Sequence, residues 1–292
     1  MLAEKPLSLR QNQLLMPHLL LIQCPDERGL IYKITAVLYA HGLNIERNDE
    51  FVERDGNVFF MRTALAGEVE AAALLAELRA ALPPAADIRL TDNRRKNLVL
   101  LVTKEHHCLS ELLVRHAFGE LNANILAVAG NHEVLGELTR KFDLPFHYLP
   151  HEGRSRAAHE AEVLALLAHY APDYVVLAKY MRILSPEFVA PWANRIINIH
   201  HSFLPAFVGA SPYAQAYARG VKLIGATAHF VNEQLDQGPI IAQNVIPINH
   251  TQSARDLAQA GRDVEKITLA RALKLVLDEQ VFVHRNKTII FD

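Results

Sequence analysis

A change of rhythm near residue 97 constrains this chain more than any other feature. From there on, short apolar runs alternate with stretches of helical spacing. Asn97–Thr103 reads NLVLLVT, Asn124–Ala129 reads NILAVA and Asp173–Ala178 reads DYVVLA, with shorter runs at Pro145–Leu149 and Ile196–Ile199. Runs this continuously apolar suit strands buried on both faces, as parallel strands are. Leu109–Phe118, Glu133–Phe142 and Ala157–Tyr170 lie between them and read as helices. The alternation predicts a mostly parallel, doubly wound α/β sheet, whose ligands bind outside the carboxyl ends of its strands. Leu223–Val231 and Ile240–Pro247 read as a hairpin beyond it, joined through Leu235-Asp236-Gln237-Gly238-Pro239. Ser253–Leu277 reads as a helix interrupted at Gly261-Arg262-Asp263, and Val281–Phe291 as strands turning at Arg285-Asn286-Lys287.

The first ninety residues have another order. His18–Gln23 is a short apolar run, followed by a turn in which Asp26 is placed as a helix N-cap or an early acid at the helix dipole. Leu30, Ile34, Val37 and Leu38 recur at helical spacing, and Gly42 stands where a left-handed C-terminal cap belongs. Asn44–Val52 and Asn57–Ala64 read as strands around an Asp55-Gly56 hairpin signal. Gly67–Ala81 reads as a helix stopped by Pro83-Pro84, and Ile88 and Leu90 mark a last strand. The order βαββαβ is that of a ferredoxin-like unit, an antiparallel sheet with two helices on one face. The polar bridge Thr91-Asp92-Asn93-Arg94-Arg95-Lys96 then divides the 292 residues into domains at 1–92 and 93–292.

Composition removes several classes of function. The formal net charge is −2, with both signs mixed along the chain, so the basic footprint of a nucleic-acid binder is missing. Leu14–Cys24 is too short for a bilayer span and is broken by Pro17, and no leader pattern precedes it, so no membrane role and a cytoplasmic location are expected. Cys24 and Cys108 are far apart and read as two reduced thiols. No glycine-rich phosphate loop follows a strand. The first strand of the second domain runs out into Lys104-Glu105-His106-His107-Cys108, which argues against a dinucleotide or nucleoside triphosphate.

Arg195–Phe207, RIINIHHSFLPAF, carries the chemistry. Asn198 and His200 are two apart, so on a strand they share a face. An amide and an imidazole at a strand end suit a carbonyl: one donates to a developing oxyanion and the other handles protons. Asp236 would tune the imidazole, or serve merely as a turn former beside Gly238-Pro239. A metal site built from His200, His201, His229, His250 and Asp236 is the competing reading. Against it, adjacent His200 and His201 face opposite ways on an extended chain, and no HExxH spacing occurs.

Two resemblances extend these readings. CPDERGLIYKITAVLYAHGLNI, within residues 17–90, resembles the ACT regulatory domain. Such domains pair edge to edge and commonly bind a small amino acid. The resemblance implies a homodimer or homotetramer, with contacts from Asp26, Arg28, Gly29 and Leu30 and from Gly42, Asn44 and Ile45. A unit used only for oligomerisation is the alternative. MRIL at Met181–Leu184, NIHHSFLPAF at Asn198–Phe207, GATAHFV at Gly225–Val231 and LDQGPII at Leu235–Ile241 resemble the formyltetrahydrofolate-utilising formyltransferases, in order over about residues 95–280. The resemblance implies catalysis by Asn198, His200 and Asp236. It implies a folate pocket of Met181, Arg182, Ile183, Leu184, His201, Asn232, Gln234 and Gly238. The chain departs from glycinamide ribonucleotide transferases at the missing phosphate loop, at His200-His201 in place of His-Pro, and in its first domain. With GRDVEK at Gly261–Lys266, these features are similar to the deformylating branch, which passes the formyl group to water. The expected reaction is hydrolysis of 10-formyltetrahydrofolate to formate and tetrahydrofolate, with no cofactor and no metal. Formyl transfer to an unidentified amine, and a catalytically inactive amino-acid sensor, are the alternatives.

Overall fold

The computed structural model describes residues 18–91, 94–205 and 212–292. The lead-in before His18, the bridge at Asp92-Asn93 and the motif's end at Ala206-Phe207 lie outside them. The chain divides between Arg94 and Arg95 into two units.

The first unit runs β1 (His18–Pro25), α1 (Leu30–Ala40), β2 (Asn44–Glu53), β3 (Val58–Ala66), α2 (Ala71–Ala81) and β4 (Asp87–Leu90). Its strands pair antiparallel in the order β2-β3-β1-β4. Leu20 and Ile22 of β1 share a face by the two-residue period and meet Ile34 and Leu38 of α1 and Leu74 and Leu78 of α2 in one core. Gly42 closes α1 with φ +67, where a side chain would be strained. One local expectation needs correction. Gly29, not Asp26, occupies the N-cap position, so α1 starts too late for Asp26 to cap it. The Asp26 backbone is instead tied to the β2–β3 turn: its N–H donates to the Asn57 carbonyl at 2.8 Å, and the Asn57 side-chain Nδ2 donates to the Asp26 carbonyl at 2.9 Å. The hairpin expected at Asp55-Gly56 is present, with Asn57 as its left-handed residue, φ +52.

The second unit runs β5 (Lys96–Val102), α3 (His107–Ala117), β6 (Ala123–Gly130), a short 3-10 turn at Glu133–Leu135, α4 (Gly136–Arg140), β7 (Phe146–Tyr148), α5 (Arg156–Tyr170), β8 (Tyr174–Ala178), α6 (Pro186–Val189) and β9 (Ile196–His200). It continues through α7 (Pro212–Arg219), β10 (Leu223–Phe230), β11 (Ile240–Pro247), α8 (Ala254–Leu277), β12 (Val281–His284) and β13 (Lys287–Ile290). Seven of these strands form one sheet in the order β11-β10-β9-β8-β5-β6-β7. β5 to β9 are parallel, while β10 and β11 run antiparallel at one edge. β12 and β13 form a separate hairpin.

The continuous apolar runs are explained by two cores. Leu98, Leu100 and Val102 of β5 face α3 and α8, while Val99 and Leu101 of the same strand face α5 and α6. Each strand is covered on both sides, so neither face needs polar residues. The order reverses beside β5: β6 and β7 continue to one side, and β8 and β9 to the other. The crevice outside the carboxyl ends of β5, β8 and β9 is therefore the topological switch point.

The expected break in the last helix does not occur. α8 runs unbroken through Gly261, opened by a capping box between Ser253 and Asp256. Gly261 is needed for space: a Cβ there would lie 2.1 Å from the Tyr213 ring. Among the described residues, no helix is long and apolar enough to cross a membrane.

Candidate active site

Three strands and one turn set the site. Leu177 on β8 pairs with Asn198 on β9, and Asn198 pairs in turn with His229 on antiparallel β10. His229 Nδ1 lies 2.8 Å from the Phe230 carbonyl oxygen, and its Nε2 lies 3.2 Å from Asn198 Nδ2. The β10–β11 connection then brings Asp236 back over the strand ends. Its Oδ2 lies 3.3 Å from His200 Nδ1 and its Oδ1 3.7 Å from His229 Nε2.

That return is built locally. Asp236 takes a left-handed φ of +55. Gly238 lies against the end of β10, where a Cβ would stand 1.7 Å from the Phe230 carbonyl oxygen. Gly238 is thus a backbone requirement of the turn and is not on the cavity wall, contrary to its expected place in the pocket. Beyond His200 the chain leaves the strand, and Leu204 N–H donates to Thr227 Oγ1 at 3.0 Å. This bend brings the His200 and His201 rings to 5.1 Å, rather than to opposite faces of a strand.

A cavity of about 370 Å³ opens over this group. Met181, Arg182, Ile183 and Leu184 form one wall, with Asn232, Gln234 and Leu235 opposite. Met181, Ile183 and Leu235 are apolar yet more than half exposed. Such side chains at a cavity mouth suit a flat, partly apolar ligand. Lys179 and Met181 hold left-handed φ values of +64 and +53, so backbone strain gathers at this wall.

The electrostatics assign protons. Burial pushes the Asp236 carboxyl up, but hydrogen bonds and charge from His200 and His229 outweigh it and hold the group well below the usual carboxylate range. An ionised Asp236 takes the His200 Nδ1 proton as a hydrogen bond. Nε2 is left as the bare nitrogen, buried and without a hydrogen-bond partner. Burial first, then Lys179 and His200, lower the His201 pKa to about 4, so this imidazole is neutral at ordinary pH.

A second polar cluster lies behind the site. Glu265 on α8 is fully buried. His107 Nε2 at 2.7 Å and Lys179 Nζ at 3.1 Å both approach its Oε2, and the Tyr213 hydroxyl donates to its Oε1 at 2.6 Å. Burial raises the Glu265 carboxyl, but His107, Lys179 and Tyr213 together bring it to about 2. His107, Cys108 and Glu265 bring potential metal-ligand atoms within 4.8 Å of one another. The Lys179 ammonium, however, already stands at this carboxylate, and burial, then Glu265, push the Cys108 thiol well up. His250, counted in the metal reading, is exposed on the turn after β11.

The proposed effector stretches do not form one site within a chain. Asp26, Gly29 and Leu30 border a depression with Glu50, Phe51 and Arg54, near the start of α1. Arg28 is exposed, and Gly42, Asn44 and Ile45 follow the other end of that helix.

Sequence reasoning missed His229 as a partner of Asn198, because that pairing depends on the β9–β10 register. It also passed over Lys179, a lone cation after the apolar run DYVVLA, and Glu265, seen only as part of GRDVEK. The short helices α6 and α7 were not anticipated either, although each opens on a proline, Pro186 and Pro212.

An amide, two imidazoles and a carboxylate on the doubly wound sheet, in a chain that also carries an ACT unit, define a formyltransferase-type enzyme. The formyl transferase family model matches residues 96–273 and the ACT domain model residues 18–83. The chain is 54% identical over 272 residues to the formyltetrahydrofolate deformylase of Haemophilus influenzae, covering 93% of this chain and 98% of that one. A crystal structure of a formyltetrahydrofolate deformylase from Pseudomonas syringae superposes with a TM-score of 0.91 at 39% identity, covering 97% of this chain and 96% of that one. Glycinamide ribonucleotide transformylase 1 from Symbiobacterium toebii matches less of the chain, 70%, with a TM-score of 0.66 at 27% identity and 98% of its own length covered. The chain belongs to the formyltetrahydrofolate deformylase family.

Proposed function

We propose that this protein hydrolyses 10-formyltetrahydrofolate to formate and tetrahydrofolate. The observation that carries the reading is the bare, buried His200 Nε2 at the floor of the cavity, held by Asp236 and flanked by Asn198. The folate ring system lies between Met181–Leu184 and the 232–235 stretch, with its formyl carbon over His200.

Water attacks that carbon, and His200 Nε2 takes one water proton as the new O–C bond forms. Asp236 stabilises the imidazolium through Nδ1. Asn198 Nδ2, oriented by His229, donates its second N–H to the oxyanion. The N10–C bond then breaks and His200 returns its proton to N10. The remaining water proton leaves with formic acid, which ionises to formate. The reaction so drawn uses side chains alone and calls on no cofactor.

Relatives that span both domains carry the deformylase name, which favours water over an amine acceptor. The released formate would serve purine synthesis and balance the one-carbon pool. The ACT unit supports regulation by a small amino acid, with glycine or methionine fitting one-carbon balance, and assembly as a dimer or tetramer through paired ACT sheets. The test is the purified enzyme with 10-formyltetrahydrofolate and no acceptor. Formate and tetrahydrofolate should appear in equal amounts, and no formate without an added amine would overturn the reading.

A further inference from the structure

Lys179 is an unusual residue to find where it stands. Its side chain is 4% exposed, yet it carries a charge. Its backbone is left-handed, a conformation that strains a non-glycine residue and persists only when its surroundings hold it. Its ammonium is fixed 3.1 Å from Glu265 Oε2, and that carboxylate is itself held by His107 and the Tyr213 hydroxyl. Lys179 nevertheless borders the same cavity as His200, His201 and Asp236. A charged side chain on a strained backbone is thus braced by Glu265 while its residue lines the reacting corner, and its charge acts on His201 there.

We infer that Lys179, braced by Glu265, selects water over amines as the group that receives the formyl. The two reactions differ in the attacking atom. Oxygen from water keeps lone pairs throughout and ends as one oxygen of formate, an acceptor with negative charge. Nitrogen from an amine ends as an amide N–H, a donor with no acceptor capacity. An ammonium offers donors only. It pairs with the water-derived oxygen and leaves an incoming amine facing like groups, and a buried polar group left unpaired discriminates strongly. Any amine arriving protonated is repelled as well.

The inference rests on the hydrolytic reading, and the assay separates the two. Tetrahydrofolate and formate are measured independently, with and without hydroxylamine as a small acceptor. In transfer, the hydroxylamine N–C bond forms, the N10–C bond breaks and one hydroxylamine proton ends on N10, so tetrahydrofolate appears without formate. Wild type should give equal amounts under both conditions. In Lys179→Met, formate release should fall, and the ratio of transfer to hydrolysis should rise about tenfold. A Lys179→Met enzyme with the wild-type ratio overturns the inference, as does one that loses both reactions in proportion. Should leaving Glu265 unpaired impair folding, Lys179→Met with Glu265→Gln removes both charges of the pair, and the same ratio decides. Wild type releasing no formate would instead overturn the hydrolytic reading.

Discussion

Two histidine–carboxylate groups stand near the same end of the second sheet, and they are satisfied very differently. Around Glu265 both carboxylate oxygens are taken at 2.6–3.1 Å by Tyr213, His107 and Lys179. Around Asp236 the contacts are longer, 3.3 and 3.7 Å, and His200 Nε2 is left bare. A buried carboxylate with both oxygens hydrogen-bonded rigidifies its surroundings. His107 Nδ1 also lacks a hydrogen-bond partner, but only the open nitrogen of His200 belongs to a residue that lines the cavity, where a substrate proton can be received. The difference teaches which group reacts and which one braces, although the residue types are nearly the same.

The sharpest way to break that distinction is Asp236→Asn. The amide preserves shape but cannot hold an imidazolium, and it favours the wrong His200 tautomer. We expect kcat to fall on the order of 10³–10⁴-fold, with folate binding retained and the melting temperature little changed. Steady-state formate release and thermal unfolding check both parts. A near-normal rate would show that Asp236 is only a turn former.

Glu265→Ala should do the opposite. It strands the Lys179 ammonium in the interior and removes the partner of His107, and breaking a buried pair this way costs about 3–5 kcal/mol. Denaturant unfolding at neutral pH should register that loss. If stability is unchanged, the cluster around Glu265 is not a brace, and the contrast with Asp236 fails.

Much of this arrangement was legible in the chain because it rests on local pattern. The continuous apolar run of β5 announced a strand covered on both faces, and the spacing of Asn198 and His200 announced a shared face. What stayed hidden depends on register and return of the chain. His229 reaches Asn198 only because β10 pairs antiparallel with β9 at that position. Lys179 and Glu265 are 86 positions apart in sequence (265 − 179) and meet only through the packing of α8 beneath the strand ends. The glycine in GRDVEK was mistaken for a helix break because nothing local reveals the Tyr213 ring that requires it. Asp26 was mistaken for a cap because capping residues and turn residues are drawn from the same few types.

The smallest expected effect concerns the residue between the two groups. His201 faces Lys179, His200, Glu265 and Asp236, and its pKa is lowered from the ordinary 6.5 to about 4, first by burial and then by Lys179 and His200. Between those values the unfolded chain binds more protons than the folded one, so stability rises with pH and is lost as pH falls from about 6.5 towards 4. Asp236 and Glu265 also lose stabilising charge on acidification, but that loss sets in only as pH falls through the ordinary carboxylate range and continues towards their depressed values. His147 and His159, lowered chiefly by burial, act in the same window but are present in both proteins compared. The difference between wild type and His201→Gln therefore isolates one imidazole. On lowering the pH from 7.5 to 5, the wild-type melting temperature should fall by about 2–4 °C more than that of the variant, the shift that one kcal/mol produces in a unit of this size, with the effect discounted for partial exposure. Parallel curves would mean that His201 is solvated like a surface histidine, and that the brace around Glu265 does not extend its field to the reacting corner.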